Sequence, residues 1–309
     1  MAWRLARASA AGDARVAAAS SDSSEENMTS TTIPKTQLPS GEAVPILGQG
    51  TWRMGEDPRK RKQELTALQL GLDLGMSLID TAEMYGEGRA EELIAEAISG
   101  RRDEVFLVSK FYPQNATRKK MIAACERSLK RLQTDRIDLY LLHWRGSVPL
   151  HETLAGFDEL LQAGKIRHWG VSNFDLDDIE ELVSLPTGST LATDQVLYNL
   201  SGRGIEWNLL PWCRERTVPI MAYAPVEEGR LLNNVSLKSI ASRYDSTPAQ
   251  IALAWLLRQE GIIAIPKASR PEHVRENRQA LQVRLADEDL KELDLMFPPP
   301  KGPRGLEMI

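Results

Sequence analysis

From Ile33 onward the chain alternates short apolar runs with longer stretches in which apolar residues recur every three or four positions. The first pattern suits buried strands and the second suits helices with one apolar face, so the alternation predicts βα units around a parallel sheet. The expected strands are VPILGQGTW (44–52), MSLIDTA (76–82), VFLVSKF (105–111), IDLYLLHW (137–144), HWGVSNF (168–174), ATDQVLYN (192–199), VPIMAYAP (218–225) and IIAIPKAS (262–269). Helices are expected at 58–74, 89–99, 118–132, 150–163, 176–183, 206–216 and 248–259, with a last one at 287–296. Ahead of the first strand, TIPKTQL and EAVPI flank Pro39, Ser40 and Gly41, turn chemistry that predicts a small hairpin.

Eight strands with seven or eight helices fit a closed (β/α)8 TIM barrel better than an open dinucleotide-binding sheet. The open sheet needs a three-glycine fingerprint after its first strand. Gly48 and Gly50 lead into Trp52 and Arg53, and Gly86 and Gly88 lead into Arg89 and Glu91, so both pairs lack the third glycine. The barrel domain is expected over residues 31–309. Residues 1–30, rich in Ala, Ser and Arg, hold almost no large apolar side chain and are expected to be a disordered extension. Arg4, Arg7 and Arg15 there suggest a targeting segment, but Asp13, Asp22, Glu25 and Glu26 weigh against one, and Met28 offers an alternative start.

Composition narrows the function classes. Of 309 residues, 26% are charged and 42% hydrophobic, the balance of a soluble enzyme. Lys and Arg number 38 against 43 Asp and Glu, so there is no basic excess to hold nucleic acid. No run reaches eighteen apolar residues, so no membrane span is expected. The two cysteines, Cys125 and Cys213, have neither disulfide nor zinc spacing. A reducing compartment, the cytoplasm, and a monomer or weak homo-oligomer are the expectations.

In a barrel of this kind the carboxyl ends of the strands converge on one mouth, so the polar strand ends form a site prediction. They are Asp80 followed by Tyr85, then Lys110, His143, Ser172 with Asn173, Gln195, Tyr223 and Lys267. Singly, Asp80 reads as a helix cap, Lys110 as a snorkelling surface residue and His143 as a core histidine. Together they read as a proton donor to a carbonyl. A phenol with an ordinary pKa near ~10 is a weak acid at neutral pH. A neighbouring ammonium is expected to lower that value, with a carboxylate behind it to hold the ammonium in place. Lys110 and Asp80 suit those two jobs, and His143 suits orienting the carbonyl oxygen.

The ordered motifs IDTAEMYG, VSKF, LYLLHW, GVSNF, DQVLYN, AYAP and IPKAS resemble the aldo-keto reductases from about Ile33 to the C-terminus. The resemblance implies an NADPH-binding barrel that reduces aldehydes and ketones, with NADH as a second candidate. Its tetrad is Asp80, Tyr85, Lys110 and His143. It further implies that Ser172, Asn173 and Gln195 hold the nicotinamide amide and that Tyr223 stacks on the ring. Thr51, Pro225, Val226, Lys267, Ser269, Arg270, His273, Glu276 and Asn277 would meet the rest of the cofactor. Ala224 stands where a serine is common, and His273 stands where many members carry an arginine beside the adenosine phosphate; Arg270 is placed to compensate. Within the family, the segment around His151 and the chain's end look most like bacterial methylglyoxal and small-aldehyde reductases.

Trp52, Met84, Tyr112 and Trp144 flank the mouth and are expected to line the substrate pocket, whereas Trp169, Trp212 and Trp255 are expected in the core. The short tail after the last helix favours a small or slender substrate. Two other functions compete. A metal-dependent hydrolase would draw on Asp80, His143, His151 and His168, but His151 starts a helix and His168 starts a strand, the wrong end, so no metal is expected. A cofactor-binding redox sensor would need no intact tetrad.

Overall fold

The structure is a computed structural model that describes residues 32–309. The predicted N-terminal extension therefore lies outside the described residues. Residues 33–309 form one unit. A hairpin comes first, β1 (Lys35–Gln37) antiparallel to β2 (Ala43–Pro45). Eight parallel strands follow: β3 (Gln49–Gly50), β4 (Leu78–Asp80), β5 (Phe106–Phe111), β6 (Ile137–Leu142), β7 (Ile166–Ser172), β8 (Asp194–Leu197), β9 (Ile220–Tyr223) and β10 (Ile262–Ala264). They pair in chain order from β3 to β10. Parallel bridges from Leu47 to Ala264 and from Gly50 to Lys267 join the last strand to the first. Gly50 permits that closure, because a Cβ there would stand 2.7 Å from the Ile265 carbonyl oxygen. The result is the expected (β/α)8 barrel.

The helices are α1 (Arg61–Asp73), α2 (Arg89–Ala97), α3 (Arg118–Leu132), α4 (Leu150–Gln162), α5 (Leu176–Ser184), α6 (Leu209–Glu215), α7 (Val235–Arg243), α8 (Pro248–Leu257), α9 (Pro271–Gln279) and α10 (Asp287–Met296). None of these described helices is long and apolar enough to cross a membrane. Two of them, α7 and α9, were not among the expected elements. Their start signals are present in the sequence: the Asn234 side chain accepts from the Leu237 N–H at the head of α7, and Pro271 opens α9. Only Val274 and Asn277 of α9 are buried, too sparse a pattern to mark an apolar face. The stretch 206–216, expected as one helix, breaks into a 3-10 turn at Gly204–Glu206 and α6 behind an Asn208 cap. By contrast, Thr247 and Gln250 form a reciprocal capping box around Pro248 and start α8 where expected.

Side chains alternate across the strands, so one residue in two faces the barrel interior. Leu78, Phe106, Val108, Leu139, Leu141, Met221, Ile263 and Ile265 form a single interior cluster, capped at the amino end by Leu38 and Val44 of the hairpin. The opposite faces pack on the helices in a larger shell that includes Trp169, Trp212 and Trp255, as expected.

Candidate active site

Continuing the same interior rows toward the carboxyl ends replaces carbon with ionisable groups. Leu78 is followed by Asp80, Val108 by Lys110 and Leu141 by His143. All three are buried, and Tyr85 is only 8% exposed. Tyr85 opens a 3-10 turn (Tyr85–Gly88) that leads into α2. The Lys110 ammonium lies 2.8 and 2.9 Å from the two Asp80 carboxylate oxygens, 2.8 Å from the Thr81 carbonyl and 3.3 Å from the Tyr85 hydroxyl. Thr51 donates its hydroxyl to the Asp80 carbonyl at 2.8 Å. Every donor of the ammonium is therefore directed, and a buried pair satisfied in this way keeps a fixed geometry.

Burial raises the Asp80 carboxyl above its usual range, opposed by the Lys110 charge and the bonds from Lys110 and Gln195. It lowers the Lys110 ammonium, opposed mainly by Asp80. The expectation that Lys110 makes Tyr85 more acidic is not met here: burial, then the charges of Asp80 and Tyr223, push the phenol well above its ordinary value. The reason is that the Lys110 charge is already matched by Asp80, while the phenolate would have to form out of water. Tyr85 thus holds its proton throughout the neutral range. Burial, helped by the Lys110 charge, takes His143 down to about 2, so its imidazole is neutral.

Beside the tetrad, the Ser172 hydroxyl donates to the Gln195 carbonyl at 2.7 Å. The Asn173 amide donates to the His143 carbonyl and to Ser172 Oγ, both at 3.1 Å, and the Tyr223 hydroxyl donates to Asn173 Oδ1 at 2.9 Å. Gln195 Nε2 donates to Asp80 Oδ1 and Met221 Sδ, both at 2.8 Å, which leaves Gln195 Oε1 without a partner among the described residues. Ser172, Asn173, Gln195 and Tyr223 are thus brought together, and Gln195 Oε1 suits the N–H of an amide ligand.

Further round the mouth, Pro225 and Val226 follow β9 in a loop with repeated left-handed residues. Beyond β10, Lys267 has no ion pair among the described residues, and Ser269 Oγ is buried without a partner. Arg270 Nη2 donates to His273 Nε2 at 2.6 Å at the head of α9. The Lys267 ammonium, the Arg270 guanidinium, an orphaned hydroxyl and a helix N-terminus suit the phosphates of a dinucleotide. Two side chains expected at the cofactor are engaged elsewhere. The Thr51 hydroxyl is committed to Asp80, and Glu276 accepts from the Thr247 hydroxyl. Asn277, on the same helix, is buried.

The aromatic residues expected at the pocket form a continuous chain. Trp52 meets Tyr85 edge-on at 4.9 Å between centroids, Tyr85 lies 5.8 Å from His143, His143 lies 5.0 Å from Trp144, and Trp144 lies 6.0 Å from Tyr112. Met84 packs with Tyr85 beside them. Sequence reasoning missed the C-terminal tail as part of this face. Arg203 holds the Phe297 carbonyl at 2.6 Å, and residues Arg304 and Glu307 run against Gly204 and Gly202. A recess of about 360 Å³ opens under Pro303–Glu307, flanked by Asp175, Ile205 and Asn208 and containing none of the tetrad. His168, at the other end of the barrel, is bound to Glu42 at 2.7 Å.

The family model of the Aldo/keto reductase family matches residues 46–296. Methylglyoxal reductase YeaE of Escherichia coli strain K12 is 50% identical over 272 residues, covering 86% of this chain and 96% of that protein. Glyoxal reductase of Bacillus subtilis strain 168 is 29% identical over 260 residues, covering 84% and 91%. Among solved structures, an aldo/keto reductase from Klebsiella pneumoniae in complex with NADP and acetate superposes with a TM-score of 0.87 at 47% identity, covering 90% of this chain and 100% of that one. With the barrel, its mouth and these matches in agreement, the chain belongs to the aldo-keto reductase family.

Proposed function

We propose that the chain reduces small aldehydes, 2-oxoaldehydes of the methylglyoxal type foremost, and that Tyr85 is the proton donor. The reaction class is that of the family: this is an NADPH-dependent oxidoreductase acting on carbonyl groups. The observation that carries the role of Tyr85 is its hydroxyl, 3.3 Å from an ammonium that Asp80 and Thr81 hold in place. The substrate class rests on the likeness to methylglyoxal and glyoxal reductases and on the aromatic chain from Trp52 to Tyr112 beside the mouth. Bound NADPH supplies the hydride.

The protein's own residues do the rest. Neutral His143 orients the carbonyl oxygen by a hydrogen bond. Tyr85 gives that oxygen its proton, and Lys110, donating to the phenol oxygen, steadies the negative charge left on Tyr85. Burial keeps Tyr85 protonated before the reaction but makes it a weaker acid, so the Lys110 ammonium must stabilise the phenolate as the proton leaves. Asp80 keeps the ammonium aimed. Ser172, Asn173 and Gln195 would hold the nicotinamide amide, and Lys267, Ser269, Arg270 and His273 would hold the phosphates.

A panel of aldehydes and ketones assayed by NADPH oxidation tests this reading. Methylglyoxal and glyoxal should exceed bulky ketones in kcat/KM, and Tyr85→Phe should lower kcat by roughly 10²–10⁴-fold with NADPH affinity nearly unchanged. Retained turnover in Tyr85→Phe would remove the proton-donor role; turnover of bulky ketones alone would remove the substrate class. A redox-sensing subunit without turnover is the less favoured reading, because the whole tetrad is assembled.

A further inference from the structure

The loop that carries Tyr85 closes only local turns of its own, Tyr85 N–H onto the Ala82 carbonyl and Glu87 N–H onto the Met84 carbonyl, each at 3.1 Å. Gly86, Glu87 and Gly88 lie in succession at φ of 56°, 58° and 92°. Left-handed backbone at a side-chain-bearing residue such as Glu87 persists only where surrounding contacts impose it. Those contacts come from two buried carboxylates, one on each side of Tyr85. Glu83 accepts the Tyr112 N–H at 2.9 Å and the Asn115 amide at 2.7 Å through Oε1, and its Oε2 lies 3.5 Å from Arg127. Glu91, fully buried, accepts the Ser109 hydroxyl at 2.7 Å through Oε1 and Arg131 Nε at 2.6 Å through Oε2.

These contacts converge on one structural unit. Ser109 and Tyr112 sit on either side of Lys110 along the same stretch of chain, and Arg127 and Arg131 are four apart on one face of α3, the helix that follows it. The Arg131 stem also fills the space where a Cβ on Gly88 would fall, 2.5 Å from Arg131 Cδ. The tyrosine loop is therefore tied at both ends to the β5–α3 unit that supplies the lysine.

We propose that Glu91 with Arg131, and Glu83 at the other end, are positioning residues that set the Tyr85–Lys110 distance. None of the three touches the reacting atoms. Their effect is on the hydrogen bond along which Tyr85 loses its proton, and a small misplacement of such a group carries a large rate penalty. The inference rests on the reading of Tyr85 as proton donor.

The test uses the full chain. Glu91→Gln keeps the shape and the Ser109 acceptor but removes the charge. The double variant Glu91→Gln, Arg131→Met leaves no unpaired buried charge and serves if the single variant does not fold. Both should lower kcat for methylglyoxal by about 10–10²-fold. The Kd for NADPH, from fluorescence titration, and the KM for aldehyde should stay within about threefold. In Glu91→Gln the alkaline limb of the kcat profile should move to lower pH, because the Glu91 charge favours the Lys110 ammonium. Glu83→Gln, keeping both Oε1 bonds, should fall between these and the unmodified protein.

A folded double variant with unaltered kcat overturns the proposal. So does a fall in kcat matched by an equal loss of NADPH affinity, which would make the network merely structural. Tyr85→Phe separates the two levels: if it retains turnover, the functional reading fails and the clamp with it, whereas an inactive Tyr85→Phe beside a fully active double variant overturns the clamp alone.

Discussion

The two ends of the barrel interior are built on the same strands and the same inward-facing rows, yet they are opposites. At the amino end Leu78, Phe106, Leu139, Met221 and Ile263 interdigitate under a hairpin plug of Leu38 and Val44. At the carboxyl end, two to four residues further along the rows, Asp80 and Lys110 sit beside His143 with Gln195 bonded to the carboxylate. One end gains stability by removing apolar area from water. The other retains buried charge that a hydrocarbon core would replace without loss of stability. The contrast shows where the fold is spent on chemistry.

The largest effect should come from unbalancing the polar end. Lys110→Met leaves Asp80 buried without its cation and should destabilise the protein by about 3–5 kcal/mol, besides removing turnover. Adding Asp80→Asn should restore most of the stability measured by chemical denaturation, but none of the activity. Recovery of activity in the double variant would mean that the pair is not there for chemistry. At the apolar end Leu139→Ala should destabilise by roughly 2–5 kcal/mol through the cavity it leaves. Turnover per folded molecule should be unchanged there, and a large loss of kcat would show that the two ends are coupled.

A third variant probes a carboxyl that belongs to neither end. Asp194, in β8 next to Gln195, is fully buried, and neither carboxyl oxygen has a side-chain partner among the described residues. Burial pushes its pKa well above the carboxylate range; the nearby Phe174 N–H offsets only part of this. A carboxyl raised on folding binds its proton more tightly in the native state, so its penalty is absent below the unfolded pKa near ~3.9 and grows as pH rises toward the native value. Asp194→Asn should therefore raise the Tm relative to the unmodified chain by a margin that widens from about pH 4 to pH 8. A constant margin would refute the assignment. The smallest effect is expected at the rim of the mouth, where His273→Arg should strengthen NADPH over NADH by about tenfold or less, a fixed charge-assisted bond replacing an imidazole that accepts from Arg270. Equal effects on both cofactors would place His273 away from the phosphate.

Much of this could be read along the chain. The strands announced themselves as short apolar runs, and the polar residues at their carboxyl ends pointed to Asp80, Lys110 and His143 at one mouth. The hairpin followed from Pro39, Ser40 and Gly41, and α8 from its helical pattern over 248–259. Helix α9 escaped because a strongly polar segment with two buried positions carries no periodic signal, and α7 because one asparagine cap ahead of a weak pattern was passed over.

Residue types and their order along the strands determined the barrel, the identity of the four groups at its mouth and the family to which the chain belongs. These are local properties, written in periodicity and in motifs. Only the tertiary structure decided that Thr81 contributes its carbonyl to the Lys110 ammonium, that burial raises rather than lowers the Tyr85 pKa, that Glu83 and Glu91 tie the tyrosine loop to β5 and α3, and that Arg203 holds the Phe297 carbonyl of the tail. Those facts depend on distances between residues far apart in the chain and on how completely water is excluded. Both are set only when the helices close over the barrel.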